Sequence, residues 1–490
     1  MTPPRTDRFP DSSPRSGAWR WWPSALSLAL PLALGACASA LPANPGMALA
    51  SVPTQWSSAS ASTSATDITT WWTRFQDAQL SALVGQALQA NTSVKSAQAA
   101  LRQARALIKV QQAGLGPSLS ASGSAQRSQS GSNDASNSFS AGFDASWEPD
   151  IFGGNRAAVD ATEADAQASA ASLADTQVSL AAEVATGYIN LRGLQSRLAI
   201  ARTNLDTQSD TVQITRWRAQ AGLASSLDVA QAVGAMEQTS AQIPALQTSV
   251  SQALNALAVL TGQAPGQVNA ALSQAKPVPP APADLALAFP TDTLRQRPDV
   301  RAAEYNVRAA LARVAMADAA RYPSFQLSGS LGLSALTLGS LTNSASLVKS
   351  LLAGVSASIF DGGAARAQVR AQQAAMEKTL ATYEGVVLTA LQEVEDALVA
   401  IQGDAERLAR LQAATTAAAQ ADELARQRYT SGLIDFATVL TTQRSLLSTQ
   451  DSVATAQASL STDHVRLYKS LGGGWTPDAN SDTPNATAKR

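Results

Sequence analysis

The sequence contains two copies of one unusual pattern, a short strand that runs through a glycine pair into a very long helix. "FDASWEPDIFGGNR" at 143–156 alternates apolar and polar residues before its glycine pair, and such alternation is typical of a β-strand. "SASIFDGGAARAQ" at 356–368 repeats the arrangement. After the glycines no proline occurs as far as Ala221 in the first copy and Ser431 in the second. Each helix could therefore extend to roughly 100 Å.

Internal similarity extends well beyond these two junctions. Residues 90–124 align without a gap on residues 296–330, and residues 218–232 align on residues 428–442. The two copies therefore predict the same order of elements, namely helix, strand, strand, long helix, glycine break and returning helix. A Pro-rich stretch at 275–290 is expected to join them as a surface linker.

The N-terminus has the pattern of a secretory signal. Scattered arginines precede a short apolar run from Trp21 to Ala36, which is short for a transmembrane helix. "Leu34-Gly35-Ala36-Cys37" is similar to the lipobox of bacterial lipoproteins, in which the cysteine becomes the acylated N-terminus. The alternative is an ordinary signal peptide with an incidental cysteine, but Cys37 is the single cysteine of the chain.

These boundaries divide the chain into six expected segments. They are a lipoprotein signal peptide (1–36), a lipid-anchored linker (37–70), a first repeat (71–274), the Pro-rich linker (275–290), a second repeat (291–473) and a disordered tail (474–490).

Four stretches of about ten residues have the length of tilted membrane-spanning strands. They cover residues 117–127, 138–148, 325–333 and 351–359. In the second strand the alternation places Phe143 and Trp147 toward lipid and Asp144 toward the lumen of a barrel. A soluble hairpin pair with one wet face is the alternative. Because known transmembrane barrels have at least eight strands, four strands predict closure by several chains.

The second long helix carries a packing seam. Its apolar positions recur mainly in alternating steps of four and three, as in a coiled coil, with one stutter from Val387 to Leu391. The members are Met376, Leu380, Tyr383, Val387, Leu391, Val394, Leu398, Ile401, Ala405 and Leu408. In copy one we expect a continuous helix of about 40 residues before the strands. That helix and the returning helix would stack end to end along the long one.

Composition excludes several functions. The net charge is −1 and the pI is near 6.0, which does not favour nucleic-acid binding. One cysteine and one histidine cannot form a His/Cys metal cluster. His464 is predicted to be an ordinary helix residue, and Glu393, Glu395 and Asp396 to be solvated or lumen-facing charges. With no nucleophile–base pair or phosphate loop, we expect no enzyme, no cofactor and no metal.

Two stretches carry a family resemblance. They are "WWTRFQDAQLSALVGQALQANTSVKSAQAALRQARA" (71–106) and "LRQRPDVRAAEYNVRAALARVAMADAARYPSFQLSGSLG" (294–332). With the glycine pairs and the lipobox, they resemble the TolC-type outer-membrane factors, in particular the NodT-type lipoproteins of resistance-nodulation-division (RND) efflux systems. The resemblance covers about residues 70–473.

The resemblance implies a mainly α fold with membrane β-strands. The expected assembly is a homotrimer with a twelve-strand β-barrel that continues into a long periplasmic α-helical barrel. It would be lipid-anchored in the outer membrane and would passively conduct drugs or other small molecules. An inner-membrane RND pump and a periplasmic adaptor are the implied partners. An exit duct for type I protein secretion and, less favoured, a periplasmic coiled-coil adaptor lipoprotein are the alternatives.

The resemblance also implies a periplasmic gate at the far tips of the helical hairpins. The tips are the turns at Gly222 and Gly432. Asp228 and Tyr429 match residues that, in some members of the family, hydrogen-bond and hold the tip shut. From the residues alone, Asp228 could instead be a carboxylate at a helix start, and Tyr429 could be a packing residue.

Beyond the second tip the chain departs from the family. Thr438 and Thr441 stand where the family often has aspartates that line the pore. Asp435 either replaces these carboxylates one turn earlier or caps the returning helix.

Overall fold

The computed structural model describes residues 53, 55–57, 68–267, 272–282 and 290–476, all within one compact unit. The predicted signal peptide and the predicted lipidation site Cys37 lie outside the described residues.

The two copies fold into matching sets of elements. The first contains a 3-10 turn (Trp71–Phe75), α1 (Ala78–Ala90), α2 (Thr92–Ala113), β1 (Ser118–Ser128), β2 (Ser136–Trp147), α3 (Gly154–Gln220) and α4 (Ser226–Leu260). The second contains α5 (Pro290–Gln296), α6 (Pro298–Ala319), β3 (Ser324–Ala335), β4 (Leu347–Ser356), α7 (Ala364–Thr430) and α8 (Phe436–Ser470). Because α3 and α7 each have 67 residues and α4 and α8 each have 35, the predicted duplication is confirmed.

Two of the predicted elements differ from the structure by more than two residues. The continuous helix before the strands is wrong, because the backbone of Asn91 is extended there and its side chain accepts a hydrogen bond from the Ser93 amide, at 2.7 Å, to start α2. The fourth strand begins at Leu347 and ends at Ser356 rather than covering 351–359. The pairing of Leu347 with Leu333 fixes this position.

The four strands form one antiparallel sheet in the order β1-β2-β3-β4, so the β2–β3 contact joins the two copies. The register places odd-numbered strand residues on one face and even-numbered residues on the other. Phe143 and Trp147 therefore share the apolar face, and Asp144 lies on the polar face, as the alternation predicts. β1 and β4 are the two edges of this sheet.

A glycine pair sets the spacing between β2 and β3. Gly142 and Gly332 are opposite each other, and a Cβ on Gly142 would lie 2.9 Å from the Cα of Gly332. Only glycine fits such a close backbone approach.

The helices form a layer in which short elements stack along long ones. α3 contacts α2 and α4 of its own copy and α6 and α8 of the other, and α7 contacts α6 and α8. The expected end-to-end stacking is therefore confirmed, and α2 with α4 and α7 form the two edges of the layer. Among the described helices, none is both long and apolar enough to cross a membrane.

The seam predicted on α7 is buried at Tyr383, Val387, Val394, Leu398 and Ile401. Ala405 is exposed, so the prediction is wrong there. Farther along α7 the buried positions are Asp422, Ala425 and Tyr429.

Candidate channel wall and hairpin tips

The polar face of the sheet is lined with hydroxyl groups that bond across the strands. Three cross-strand serine pairs have their Oγ atoms 2.7 to 2.8 Å apart, namely Ser118–Ser146, Ser124–Ser140 and Ser330–Ser350. Asp144 Oδ2 accepts a hydrogen bond from Ser122 Oγ at 2.9 Å. Asp144 is the one carboxylate within the four described strands. This face of the sheet is thus a hydrophilic surface of mostly uncharged side chains with one negative charge at Asp144.

The first hairpin tip turns at Gly222, whose φ of 74° lies in the left-handed region that favours glycine. The Ser225 side chain accepts from the Asp228 amide at 3.1 Å, and the Asp228 carboxylate accepts from the Ser225 amide at 2.8 Å. This reciprocal pair is a capping box that begins α4. Within the chain, Asp228 is therefore a helix-cap residue.

Tyr429 packs at the second tip, close to the turn at Gly432. Its ring lies 5.3 Å from the ring of Phe436, and the guanidinium carbon of Arg218 lies 4.6 Å from its centroid. Arg218 also donates to the carbonyl of Thr430 at 3.1 Å. The Tyr429 hydroxyl has no hydrogen-bond partner among the described residues, Asp228 included. Arg218 thus connects the two tips in this chain, a contact that sequence reasoning missed.

The start of α8 explains the roles of Asp435 and its neighbours. Asp435 Oδ1 accepts from the Thr438 amide at 2.9 Å and from the Thr438 hydroxyl, and these two bonds, the hydroxyl first, lower the pKa of Asp435. Thr441 donates to the carbonyl of Ala437 at 2.8 Å. Thr438 and Thr441 are exposed on α8. Asp435 is therefore the cap of α8.

In both copies, a side chain at the start of one short helix donates a hydrogen bond to the last carbonyl of the other short helix. Asn91, which caps α2, donates through Nδ2 to the carbonyl of Leu260 at the end of α4, at 2.9 Å. Arg297, which precedes α6, donates through Nη1 to the carbonyl of Ser470 at the end of α8, also at 2.9 Å. We call these two contacts the stack joints. They satisfy helix-terminal carbonyls that have no partner within their own helix.

The second stack joint includes a charge cluster. Arg297 has an 8% exposed side chain and pairs with Asp299 at 2.7 Å and with Glu393 on α7 at 2.8 Å. Asp175 on α3 lies nearby, and burial, followed by the charge of Asp299, raises its pKa. Arg297 belongs to the "RQRPDV" stretch, which indicated the family but not this contact.

A second buried arginine fixes the chain between the copies. Arg192 on α3 is fully buried and lies 4.8 Å from the centroid of the Tyr188 ring. It donates to the carbonyl of Gln274 and to Gln79 Oε1, both at 2.7 Å, and to Gln195 Oε1 at 2.6 Å. Burial raises the pKa of Tyr188 to about 12. Arg192 thus holds α1 and the residue that precedes the Pro-rich linker against α3.

Two described residues of the predicted N-terminal linker, Trp56 and Ser57, contact the helical layer. Trp56 is 8% exposed and packs in a cluster that includes Val394, Leu398 and Leu467. The Ser57 amide donates to Glu395 Oε1 at 2.6 Å. Sequence reasoning missed this contact, because a lone tryptophan in a stretch without periodicity gave no signal.

Comparison with known proteins agrees with this architecture. A family model described as "Outer membrane efflux protein" matches residues 83–263 and 289–473. The chain belongs to the outer membrane efflux protein family. The outer membrane protein OprJ of Pseudomonas aeruginosa is 31% identical over 92% of this chain and 95% of its own length. The pyoverdine export outer membrane protein OpmQ of the same species is 33% identical over 91% and 96%.

Solved structures agree as well. The outer-membrane channel OprN superposes with a TM-score of 0.82 at 34% identity, covering 87% of this chain and 98% of that one. VceC of Vibrio cholerae superposes with a TM-score of 0.77 at 27% identity, covering 83% and 99%. The chain is accordingly an efflux protein of the outer membrane that extends into the periplasm. The family consists of channel proteins, and no group of three or more His, Cys, Asp or Glu side chains among the described residues is placed to hold a metal ion.

Proposed function

We propose that this efflux protein forms, as a homotrimer, the exit channel of a tripartite pump. It passively conducts drugs or other small molecules delivered by an inner-membrane RND pump and a periplasmic adaptor. The observation that carries the proposal is that the sheet and the helical layer are open on the same two sides. The β1 edge follows directly from α2, and the β4 edge leads directly into α7.

Both open sides of the helical layer expose apolar side chains. On α7, Leu388, Val399 and Leu424 are 52% to 58% exposed. On the opposite side, Val110 of α2 is 63% exposed and Val259 of α4 is 62% exposed. These side chains are available to pack against a neighbouring copy. In the proposed assembly, the side of one copy formed by α2 and α4 packs against the α7 side of the next copy.

Closure in a ring follows from a head-to-tail contact of this type, since each copy leaves its other side free for the next. Each chain contributes four strands, fewer than the roughly eight that the smallest transmembrane barrels need. Three copies, the number that the TolC resemblance implies, give twelve strands. The serine-lined face with Asp144 then lines the lumen.

The gate in this proposal lies at the tips of the α3–α4 and α7–α8 hairpins. These tips lie at the far end of helices of 67 residues, roughly 100 Å from the strands. Asp228 and Tyr429, with Thr438 and Thr441 exposed beside them, make weak contacts between neighbouring hairpins that a bound adaptor breaks. A population shift requires only that the adaptor bind the open tips more tightly.

The relatives and the N-terminal sequence support the proposed substrate class and anchor. ArpC of Pseudomonas putida is named as the outer membrane protein of an antibiotic efflux pump, and it is 31% identical over 86% of this chain. This similarity favours small molecules over secreted proteins. Cys37 is acylated after cleavage of the signal peptide and adds a lipid anchor to the strands.

The proposal is tested by expressing the full chain in an outer membrane and reconstituting the product in planar bilayers. We expect a heat-resistant trimer on gels and discrete channel conductance. A monomer without conductance would refute the channel. Asp228→Ala combined with Tyr429→Phe should raise the conductance, whereas the control Ser225→Ala, which removes the cap partner and keeps the carboxylate, should not. Equal conductance of the double variant and the wild type would remove these residues from the gate.

A further inference from the structure

The strands carry three ionisable residues, and two of them lie on the apolar face. Asp144 is on the polar face, but Arg127 of β1 and Lys349 of β4 have odd-numbered positions and share a face with Phe143 and Leu331. Both basic side chains are exposed. Neither has an ion pair or a hydrogen bond to any residue that the structure describes. A charge on a lipid-facing surface is costly unless it reaches the interface or a counter-charge.

Both residues lie toward the loop end of the sheet, away from the helices. Lys349 is seven residues from Ser356 and Arg127 is nine from Ser118, the strand ends nearest the helices. With about 3.3 Å per residue and a tilt of about 40°, these positions lie about 18 and 23 Å up a lipid-facing band of about 25 Å. Because the helices extend into the periplasm, both side chains reach the polar level of the outer leaflet.

The duplication predicts how β4 of one copy pairs with β1 of the next. β1 aligns on β3 with an offset of 206 residues. Since Ser118 pairs with Ser146 and Ser324 with Ser356, β2 corresponds to β4 with an offset of 210. The contact between copies then repeats the β2–β3 contact.

In the β2–β3 contact, Ala141 pairs with Leu333. The two offsets convert this pair into Leu351 opposite Arg127 of the next copy. Lys349 is then the diagonal neighbour of that arginine, about 7–8 Å away. Each β4–β1 contact between copies, which we call the strand seam, thus brings two positive charges together on the lipid-facing surface.

Two like charges at this distance repel each other unless an anion lies between them. The apolar face of the described strands contains no carboxylate. Asp134 lies in the β1–β2 loop at the same end of the sheet but forms no ion pair with Arg127 or Lys349 in the described chain, so we expect the anion to come from outside the protein. At this depth the available anions are the phosphate groups of lipids, which clusters of lysine and arginine recognise. We propose that Lys349 and Arg127 of adjacent copies form a binding site for a phosphorylated outer-leaflet lipid, one at each strand seam. The site rests on the proposed trimer.

The test compares lipid binding by the full-length wild type, the Arg127→Ala/Lys349→Ala variant and a control. The control, Lys95→Ala/Arg102→Ala, removes the same two charge types from exposed positions on α2. Each protein is reconstituted in phosphatidylcholine bilayers with either bisphosphorylated lipid A or its dephosphorylated form, and native mass spectrometry counts the bound lipid. We expect the wild type and the control to retain up to three bisphosphorylated molecules per trimer. The double variant should bind them roughly thirtyfold more weakly.

Equal retention by the wild type and the double variant, or equal binding of both lipid forms by the wild type, would overturn the site. If the alanine variant does not assemble, the charge-retaining swap Arg127→Lys/Lys349→Arg must bind like the wild type, and Lys349→Gln alone must bind less. Gels and conductance on the same samples separate the two proposals. A conducting trimer without lipid preference refutes the lipid site alone, whereas a monomeric wild type refutes the assembly and the site with it.

Discussion

Replacing Arg297 by alanine removes the cation that holds the second stack joint together. Its guanidinium contacts Asp299 at 2.7 Å, Glu393 at 2.8 Å and the Ser470 carbonyl at 2.9 Å. Alanine would leave these acceptors without their donor. It would also leave Asp175, Asp299 and Glu393 close together, with the positive charge of Lys469 still acting on Asp175.

The size of the effect follows from burial. Breaking a fully buried ion pair costs about 3–5 kcal/mol. Glu393 is 48% exposed and Asp299 is 31% exposed, so water screens part of the loss. We therefore expect Arg297→Ala to lower the free energy of unfolding by about 2–4 kcal/mol. Arg297→Lys keeps the positive charge but loses the planar guanidinium group, and it should lower the free energy of unfolding by about half as much.

The assay is urea unfolding of the detergent-solubilised protein, followed by tryptophan fluorescence at several pH values. The raised pKa of Asp175 means that the folded state binds this proton more tightly than the unfolded state. Protonated Asp175 therefore contributes stability at low pH, and this contribution is lost as the pH rises through the pKa of Asp175 in the folded state. Because Arg297→Ala raises the pKa further, the gap in stability between variant and wild type should narrow as the pH falls from 7.

Two results would refute this reasoning. One is an Arg297→Ala protein within about 0.5 kcal/mol of the wild type, the range of ordinary surface substitutions. The other is a large loss that does not change with pH, because the electrostatic explanation requires relief on protonation. Asn91→Ala at the first stack joint is the matched uncharged control, and it should lose about 1–2 kcal/mol at every pH.

Three further predictions concern other parts of the chain. Phe143→Arg should reduce the yield of the proposed trimer, at a cost of about 2–4 kcal/mol if the position is mid-membrane. Asp144→Asn on the opposite face should change the yield little. A larger loss of yield for Asp144→Asn than for Phe143→Arg would contradict the register. Burial, then the charge of Arg74, lowers the pKa of His464 from 6.5 to about 4. Its neutral form therefore contributes stability that is lost as the pH falls between these values, and His464→Gln should make unfolding less acid-sensitive than in the wild type. Cys37→Ser should abolish incorporation of labelled acyl chains while some trimer still forms; acyl label on that variant would disprove the anchor.

Periodicity predicted the parts of the fold that depend on local pattern. The helix lengths, the glycine turns at Gly222 and Gly432 and the opposite faces of Phe143 and Asp144 follow from rules that act within a few residues. The break at Asn91 was missed because an asparagine inside an apolar helical pattern is not a strong stop signal. Its side chain becomes a cap there because the end of α4, far away in sequence, offers the Leu260 carbonyl.

The candidate site was harder to predict, because its residues have several physical uses. Asp228 matched a gate residue in the resemblance, yet its carboxylate completes a local capping box with Ser225. Arg218 gave no signal at all, although it crosses to Tyr429. Contacts of these side chains with a neighbouring copy depend on how two copies pack together, which the pattern of one sequence does not specify. The gate therefore stays a prediction.

The stack joints also bear on where each pair of stacked short helices can bend relative to the long helix beside it. α3 and α7 run unbroken through the level of the joints, but the short helices beside them are interrupted at Leu260 and Ser470. At that level the short helices have no continuous ladder of helical hydrogen bonds, and the side-chain contacts from Asn91 and Arg297 link their ends instead. We therefore expect any bending of a hairpin to occur at this level, with the part beyond it moving as a unit. A small change of angle at the joint becomes a displacement of several ångströms at the tip, because the returning helices below it are about 50 Å long.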